Sequence, residues 1–287
     1  MVTILTPTYN RAHTLPRLFY SLLEQTTHDF EWLVVDDGSD DNTESIIDEF
    51  KKDSPFPVRY IKKNNGGKHT ALNVGFIKAD REWIFVLDSD DWLRNDCIDK
   101  IISELTSNDF NYNSLSFLRV YESGEVIGDP FPDGLNDFLD RELFKVKGDK
   151  AEVFNKSCLE GFCFPSYDGE NFMAEAPLYI WYGQRFNTRF INYGGYICEY
   201  QSDGLSTNSI INRYKSLNST LYVTEVKYKA HDDFPFKARA AINWWRFKSS
   251  RIAMKKEWRP PLVYLPIGML LFLFDLVRGR RIPLSRV

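Results

Sequence analysis

Five consecutive apolar residues, Trp83-Ile84-Phe85-Val86-Leu87, run directly into Asp88-Ser89-Asp90-Asp91, which we call the acidic loop. A short unbroken apolar run predicts a strand buried on both faces of a sheet, because a half-exposed strand alternates apolar and polar residues. The acids then lie at the carboxyl end of that strand, where open α/β sheets bind ligands. Neighbouring carboxylates repel one another unless cations or hydrogen-bond donors compensate them, and their oxygens suit Mg²⁺ or Mn²⁺. The alternative is a solvated acidic turn before a helix that starts near Asp96.

The residues before this strand repeat a pattern of short apolar strand, polar loop and amphipathic helix. Strands that alternate with helices at this spacing form parallel βαβ units, so the loops at their carboxyl ends share one edge of the sheet. The sequence therefore predicts an α/β fold with a mostly parallel central sheet and flanking helices. The predicted strands cover residues 2–5, 30–35, 58–61 and 83–87.

Three loops on that edge carry side chains suited to a nucleotide. Tyr9, after the first strand, can pack on a base. Asp37, after the second, can accept hydrogen bonds from a ribose or from the imide edge of a uracil. Gly66-Gly67 opens a helix whose N-terminus, together with Lys68, favours an anionic phosphate. Each feature alone is common in turns, but together with the acidic loop they predict a nucleotide site.

Four motifs in this order resemble the signature of family 2 glycosyltransferases with the GT-A fold. The resemblance implies a Rossmann-like GT-A domain, a nucleotide-sugar donor that is most often UDP-linked, Mn²⁺ or Mg²⁺ at a DxD motif, and inversion at the anomeric carbon. The motifs are Thr6-Pro7-Thr8-Tyr9-Asn10-Arg11, Val34-Val35-Asp36-Asp37-Gly38-Ser39, Gly66-Gly67-Lys68-His69-Thr70-Ala71-Leu72-Asn73 and Leu87-Asp88-Ser89-Asp90-Asp91.

The resemblance implies which residues contact the donor. Thr8, Tyr9 and Asp37 would contact the base and the ribose, and Lys68 would lie near the ribose or the diphosphate. The full donor-contacting set that the resemblance implies is Pro7, Thr8, Tyr9, Asn10, Asp37, Lys68, Asp88, Ser89 and Asp91.

The reacting groups are also implied by the resemblance. Asp90 would bind the metal, with Asp88 on the ribose side of the same motif and part of the metal site. Residues 164–176 resemble the segment that delivers the catalytic carboxylate in bacterial members, and Glu175 is the matching acid. An inverting transfer needs one base to take the proton of the acceptor hydroxyl. Asp168 and Glu170 are neighbouring alternatives, and Glu175 could instead be an acid favoured by a helix N-terminus.

The C-terminal end differs in charge from the rest of the chain. Residues 237–287 hold 12 Lys+Arg against 2 Asp+Glu, although the 287-residue chain has a formal net charge of −4. Residues 237–258 have the spacing of a basic amphipathic helix, and residues 262–277 are apolar except for Asp275. A spanning helix needs about 20 apolar residues, so this tail is expected to lie on an anionic membrane surface. The alternative is a helix packed on the protein's own core or on a sister subunit.

These observations predict three segments and a cellular setting. Residues 1–110 form the nucleotide-sugar-binding half of the domain, 111–230 its acceptor-binding half, and 231–287 the basic and apolar tail. The sequence has no basic leader, CxxC pair or metal-ligand spacing of cysteines, which favours a cytoplasmic protein, peripheral on the inner face of the cell membrane. Nucleic acid is not an expected partner, and self-association is left open.

The sequence therefore favours an inverting, metal-dependent transferase that adds one hexosyl or N-acetylhexosaminyl unit from a UDP-sugar to a lipid-linked or growing glycan. The QxxRW motif of processive polysaccharide synthases is absent from the sequence, which favours single addition. One alternative is a sugar nucleotidylyltransferase, which would carry a Gly-rich loop where this chain has Pro7-Thr8-Tyr9-Asn10. The other is a non-catalytic, membrane-attached protein that binds a nucleotide-sugar or a partner transferase.

Overall fold

The computed structural model describes residues 1–199, 209–250 and 258–278, and the chain forms two compact units. The segments predicted from the sequence divide the chain by role rather than by packing, and they stay a prediction. The first unit comprises Met1–Cys163 and Trp181–Gln201, and the second comprises Phe164–Ile180 and Ser202–Val287.

Four parallel strands form one half of the sheet in the first unit: β1 (Val2–Thr8), β2 (Phe30–Asp36), β3 (Val58–Lys62) and β4 (Trp83–Val86). They lie in the order β3-β2-β1-β4. Every residue of β1, β2 and β4 is buried, as expected for strands that are covered on both faces of the sheet. The predicted strands and the α/β class are confirmed, and the carboxyl ends of all four strands meet at one edge.

Four further strands extend the sheet beyond β4: β5 (Trp92–Leu93), β6 (Ser114–Tyr121), β7 (Lys150–Asn155) and β8 (Thr188–Cys198). The complete order is β3-β2-β1-β4-β7-β6-β8-β5. Strand β7 is antiparallel to both β4 and β6, and β6 is parallel to β8. The residues after β4 therefore return to the sheet beside the acidic loop.

Helices cover both faces of the parallel half. The first unit contains α1 (Leu15–Leu23), α2 (Thr43–Asp53), α3 (Lys68–Lys78), α4 (Cys97–Leu105) and α5 (Phe138–Leu143). Helices α1, α2 and α4 share one apolar core with the sheet, where Phe19 stacks on Phe50 at 4.1 Å between ring centroids. On the other face, α3 passes close to β1 because Gly75 has no Cβ, which would lie 2.3 Å from Leu5 Cδ1. This packing sets the N-terminus of α3 at the edge where the strands end.

The second unit contains helices together with the non-helical segment 164–175 that precedes the first of them. Helix α6 (Ala176–Gly183) begins in its sequence, and α7 (Ser209–Lys215), α8 (Leu217–Ala230), α9 (Phe234–Lys248) and α10 (Leu265–Val277) follow. Its core is formed by aromatic side chains of α7, α9 and α10 together with Leu217 and Leu221 of α8. The predicted basic helix over 237–258 corresponds to α9, while residues 251–257 lie outside the described residues. In the described ranges, every helix is too short or too polar to cross a membrane.

Candidate active site

The acidic loop leaves the sheet at the carboxyl end of β4, and hydrogen bonds fix its backbone. Thr14 Oγ1 donates to the carbonyl of Ser89 at 2.8 Å, and Arg17 Nη2 donates to the carbonyl of Asp90 at 2.9 Å. From β8, the hydroxyl oxygen of Tyr196 accepts the backbone N–H of Asp88 at 2.9 Å. Contacts from α1 and β8 thus hold the loop that presents the three carboxylates.

Asp88 is compensated by two cations. Its Oδ1 lies 2.5 Å from Nζ of Lys68, the first residue of α3, and its Oδ2 lies 3.1 Å from Nη1 of Arg119. Burial alone would raise the pKa of Asp88, but these two positive charges outweigh burial and hold the pKa well below its usual range. Asp88 is therefore an anion, and each of its oxygens faces a cation.

Asp90 and Asp91 carry negative charge that these cations do not fully compensate. Burial raises the pKa of Asp91 to about 7, although Nη1 of Arg119 lies 3.5 Å from its Oδ2. Burial and the charge of Asp88 also raise the pKa of Asp90. The protein destabilises the ionised forms of both side chains relative to exposed carboxylates, so a bound cation would stabilise this loop.

Arg119 is a site residue that the sequence analysis missed. The pairing of β6 with β8 shifts register between Phe117 and Arg119, and irregularities of this kind re-aim a side chain. The guanidinium lies over the ring of Tyr196 at 4.2 Å and between Asp88 and Asp91. One signal was available: a buried charge is nearly always paired, and Arg119 interrupts a largely apolar strand.

Arg119→Met is expected to lower the free energy of unfolding by about 3 kcal/mol, because Asp88 and Asp91 lose the cation that they share. Urea unfolding followed by circular dichroism measures the change. Methionine retains most of the side-chain length, so lost charge dominates the effect. The double variant Arg119→Met/Asp91→Asn should recover part of the loss, since one repelling carboxylate is then removed. Equal stability of wild type and Arg119→Met would contradict the pairing.

Asp37 holds the glycine turn that precedes α3. Its Oδ1 lies 2.5 Å from Lys63 Nζ and accepts the N–H of Gly66 at 3.0 Å. Its Oδ2 accepts the N–H of Gly67 at 2.6 Å and Nδ2 of Asn65 at 3.1 Å. Gly67 has φ of 91°, a left-handed conformation that favours glycine. The Asp37 carboxylate thus positions the turn that leads into Lys68, and Lys63 is a second residue that sequence reasoning missed.

The end of β1 lies beside Asp37, whose backbone N–H donates to the carbonyl of Thr8 at 2.8 Å. Pro7 and Thr8 are buried, and among the described residues no group forms a hydrogen bond with Thr8 Oγ1. Tyr9 is 46% exposed, so its ring can contact a ligand. Asn10 adopts a left-handed φ of 52° and is hydrogen-bonded to the loop after β2. Contacts therefore link these residues through Asp37 to α3 and Asp88, and their roles stay predictions.

Glu175 lies immediately before α6 in the second unit. It is partly buried, and its Oε2 accepts the hydroxyl of Tyr179 at 2.9 Å. The neighbouring Glu170 is 7% exposed. It accepts hydrogen bonds from the backbone N–H groups of Asn218 and Ser219 at 2.7 and 2.8 Å, and from the side chains of the same two residues. Glu170 therefore caps the N-terminus of α8, which argues against it as the base. Glu175 stays the predicted base.

The chemistry of the acidic loop fits a divalent cation. No group of three or more His, Cys, Asp or Glu side chains placed to hold a metal ion is found in residues 1–199, 209–250 and 258–278. Mg²⁺ at phosphate sites usually takes one or two carboxylates and completes its shell with substrate phosphates and water. Asp90, whose ionised form is destabilised, and Asp88 beside it would supply those carboxylates and stay the predicted ligands.

The N-terminal half of the chain matches a known family. Residues 3–156 match the family model described as Glycosyl transferase family 2. An uncharacterized glycosyltransferase of Rickettsia felis is 34% identical over 126 residues, which is 44% of this chain and 21% of that protein. The matched regions cover about a fifth of the length of the first three curated relatives. The family match contains β1 to β7 and the acidic loop.

Solved glycosyltransferase structures share the fold. S. aureus TarS 1-349 in complex with UDP-GlcNAc has a TM-score of 0.63 and 17% identity, covering 87% of this chain and 72% of TarS 1-349. The mannosyltransferase PcManGT from Pyrobaculum calidifontis, in complex with GDP-Man and Mn²⁺, has a TM-score of 0.53 and 18% identity, covering 97% of this chain and 82% of PcManGT. At sequence identities this low, the two matches show the fold alone, and this fold agrees with the predicted GT-A arrangement.

Proposed function

Because the chain belongs to glycosyl transferase family 2, we propose that it is an inverting, metal-dependent transferase that moves one sugar from a nucleotide-sugar to an acceptor hydroxyl. The observation that carries this proposal is the acidic loop. Two cations compensate Asp88, while the pKa values of Asp90 and Asp91 are raised, at the edge where Asp37 positions the turn before α3. Such an arrangement suits a cation and a diphosphate together.

The donor is proposed to be a UDP-sugar. Tyr9 would offer its exposed ring to the base, and the buried Thr8 hydroxyl, which has no hydrogen-bond partner in the part of the chain that the structure describes, would offer a polar contact beside it. The TarS complex contains UDP-GlcNAc, which supports a uridine nucleotide as the donor. The PcManGT complex contains GDP-Man, so a guanosine nucleotide is the alternative donor to compare with it. If Asp37 accepts a hydrogen bond from the uracil imide, the uracil must displace one of the hydrogen-bond donors that Asp37 has now, such as Lys63.

In the proposed reaction, Glu175 takes the proton of the acceptor hydroxyl while that oxygen attacks the anomeric carbon. The new bond forms on the face opposite the diphosphate, and the bond between the sugar and the diphosphate breaks with its electrons going to phosphate oxygen. Lys68 would stabilise the negative charge that grows there. A divalent cation held by Asp90 and Asp88 would supply Lewis-acid stabilisation of the same charge.

The acceptor is proposed to be a hydroxyl of a lipid-linked or growing glycan, to which a hexosyl or N-acetylhexosaminyl unit is added. The absence of a QxxRW motif from the sequence supports single addition. Because the curated relatives are much longer than the matched regions, their acceptors are not carried over to this chain, and the lipid-linked or growing glycan is the acceptor that the family resemblance implies.

Titration calorimetry with UDP, GDP and their sugar conjugates, in Mn²⁺ and then in EDTA, tests the donor site. We expect a UDP-sugar to bind at least tenfold more tightly than its GDP counterpart, and to lose at least tenfold in affinity when EDTA removes the metal. Tighter binding of GDP conjugates would change the donor assignment. No binding of any nucleotide would contradict the proposed function and favour a non-catalytic role.

A further inference from the structure

Helix α10 exposes six large apolar side chains to solvent and buries its single charged residue. Asp275 is fully buried, together with Gly268 and Phe272 on the same face. The outward face is formed by apolar side chains between 46% and 85% exposed, which we call the apolar ridge. The apolar ridge comprises Ile267, Met269, Leu270, Leu273, Phe274 and Val277.

A buried polar network fixes this rotation of α10. Asp275 accepts the hydroxyl of Tyr214 at 2.8 Å, and Nε and Nη2 of Arg246 at 2.7 Å each. On the same face, a Cβ on Gly268 would lie 2.5 Å from Cβ of Trp245, so α9 and α10 approach closely there. Turning the ridge inward would break three hydrogen bonds of a buried carboxylate and leave Arg246 unpaired, at a high cost. The outward ridge is therefore a built feature of the second unit.

We propose that the apolar ridge docks α10 on an anionic lipid bilayer. Soluble proteins rarely leave a contiguous apolar surface of this kind without a partner. Exposed Arg259 precedes α10 and exposed Arg278 follows it, and Arg280 and Arg281 come next in the sequence. An apolar face with cations at its ends matches the interface of an anionic membrane, where acyl chains lie beneath negative headgroups.

The length of α10 decides its orientation in the bilayer. Its 13 residues extend about 20 Å at 1.5 Å each, whereas the hydrocarbon core is about 30 Å thick. The helix therefore lies in the plane of the interface, with the ridge toward the acyl chains and the Asp275 network toward the protein. This orientation keeps the buried ion pair out of the lipid.

A second copy of the chain is a less favourable occupant of the ridge. From 258 to 281 the sequence contains one acid, Asp275, which is buried against Arg246. Two ridges packed together would bring the arginines at their ends close to one another, with no acid of this segment free to compensate them. Anionic headgroups supply that compensation. Docking of the apolar ridge is independent of sugar transfer, because α10 contains no residue of the donor site.

Co-sedimentation of the full chain with phosphatidylcholine vesicles, with and without phosphatidylglycerol, tests the docking. Leu270→Ser/Leu273→Ser is expected to lower the partition coefficient on anionic vesicles at least tenfold. Ile77→Ser is the matched control, because Ile77 is an apolar residue of α3 that is 72% exposed and lies outside the ridge. Arg259→Gln and Arg278→Gln should each weaken binding roughly fivefold on anionic vesicles and leave binding to neutral vesicles unchanged.

Three results would overturn the proposal. They are wild-type protein that stays in the supernatant with anionic vesicles, a ridge variant that binds them as wild type does, and equal losses from the ridge and Ile77 variants. Light scattering of the same protein variants without vesicles tests the alternative occupant, which is a second copy of the chain. A dimer that Leu270→Ser/Leu273→Ser dissociates, with no vesicle binding, would assign the ridge to a second copy.

Discussion

Asp90→Asn is expected to lower kcat/KM at least about 1,000-fold, equivalent to about 4 kcal/mol of transition-state stabilisation, and to remove the effect of Mn²⁺ on UDP-sugar binding. Asp88 already faces Lys68 and Arg119, so its charge is compensated without a metal. Burial and the charge of Asp88 destabilise the ionised form of Asp90, which a bound cation would stabilise, whereas Asp91, whose pKa is also raised, lies beside Arg119. UDP release from each UDP-sugar that binds, and calorimetry with Mn²⁺ and with EDTA, measure the two effects.

The same substitution is expected to leave stability unchanged or to raise it. The pKa of Asp90 is higher in the folded state than the ordinary value of about 3.9, so folding favours the protonated carboxyl. The stability that this gives is full below the unfolded pKa and is lost as pH rises through the folded pKa. Urea unfolding in EDTA should therefore find Asp90→Asn at least as stable as wild type at pH 7.

Asp99→Asn is the matched control for Asp90→Asn, because Asp99 is an exposed acid in the first turn of α4. It should change neither UDP release nor the Mn²⁺ effect. If Asp90→Asn loses activity only through unfolding, or if Mn²⁺ still tightens donor binding to this variant, Asp90 is not the metal ligand. Loss of the Mn²⁺ effect in Asp88→Asn alone would move that role to Asp88.

The parallel half of the fold could be predicted because its signals are local. Each strand from β1 to β4 is a short apolar run next to its own loop and helix, so periodicity and turn residues identify it. Strands β6, β7 and β8 depend on pairing between residues that are far apart in the sequence. Arg119 reaches the acidic loop only through that pairing and through the register shift beside it, which no local pattern contains.

The same limit applies to the candidate site and to the tail. The sequence identified the acidic loop and the turn before α3, but it did not reveal that Lys63 pairs with Asp37 or that Glu170 caps α8. It identified an apolar C-terminal segment and left open which face is buried. Packing decides that question, because Asp275 finds its hydrogen-bond donors on α7 and α9.

Glu175→Gln is expected to lower kcat about 1,000-fold while leaving the affinities for UDP-sugar and Mn²⁺ unchanged. A positioned general base contributes about 10²- to 10⁴-fold, and an amide cannot take the acceptor proton. Glutamine keeps the side-chain length and can still accept the hydroxyl of Tyr179, so the start of α6 should be undisturbed. UDP release from the UDP-sugar that binds, with water as acceptor, measures kcat, and calorimetry measures the two affinities.

The control for Glu175→Gln is Asp168→Asn, an exposed acid of the same segment. It should retain wild-type turnover, and a loss in Asp168→Asn with none in Glu175→Gln would transfer the base role to Asp168. If Glu175 serves only as an acid at a helix N-terminus, Glu175→Gln should cost at most about 1 kcal/mol of stability and leave kcat intact. Because the base acts after the donor is bound, a drop in kcat with unchanged donor affinity separates the catalytic role from the structural one.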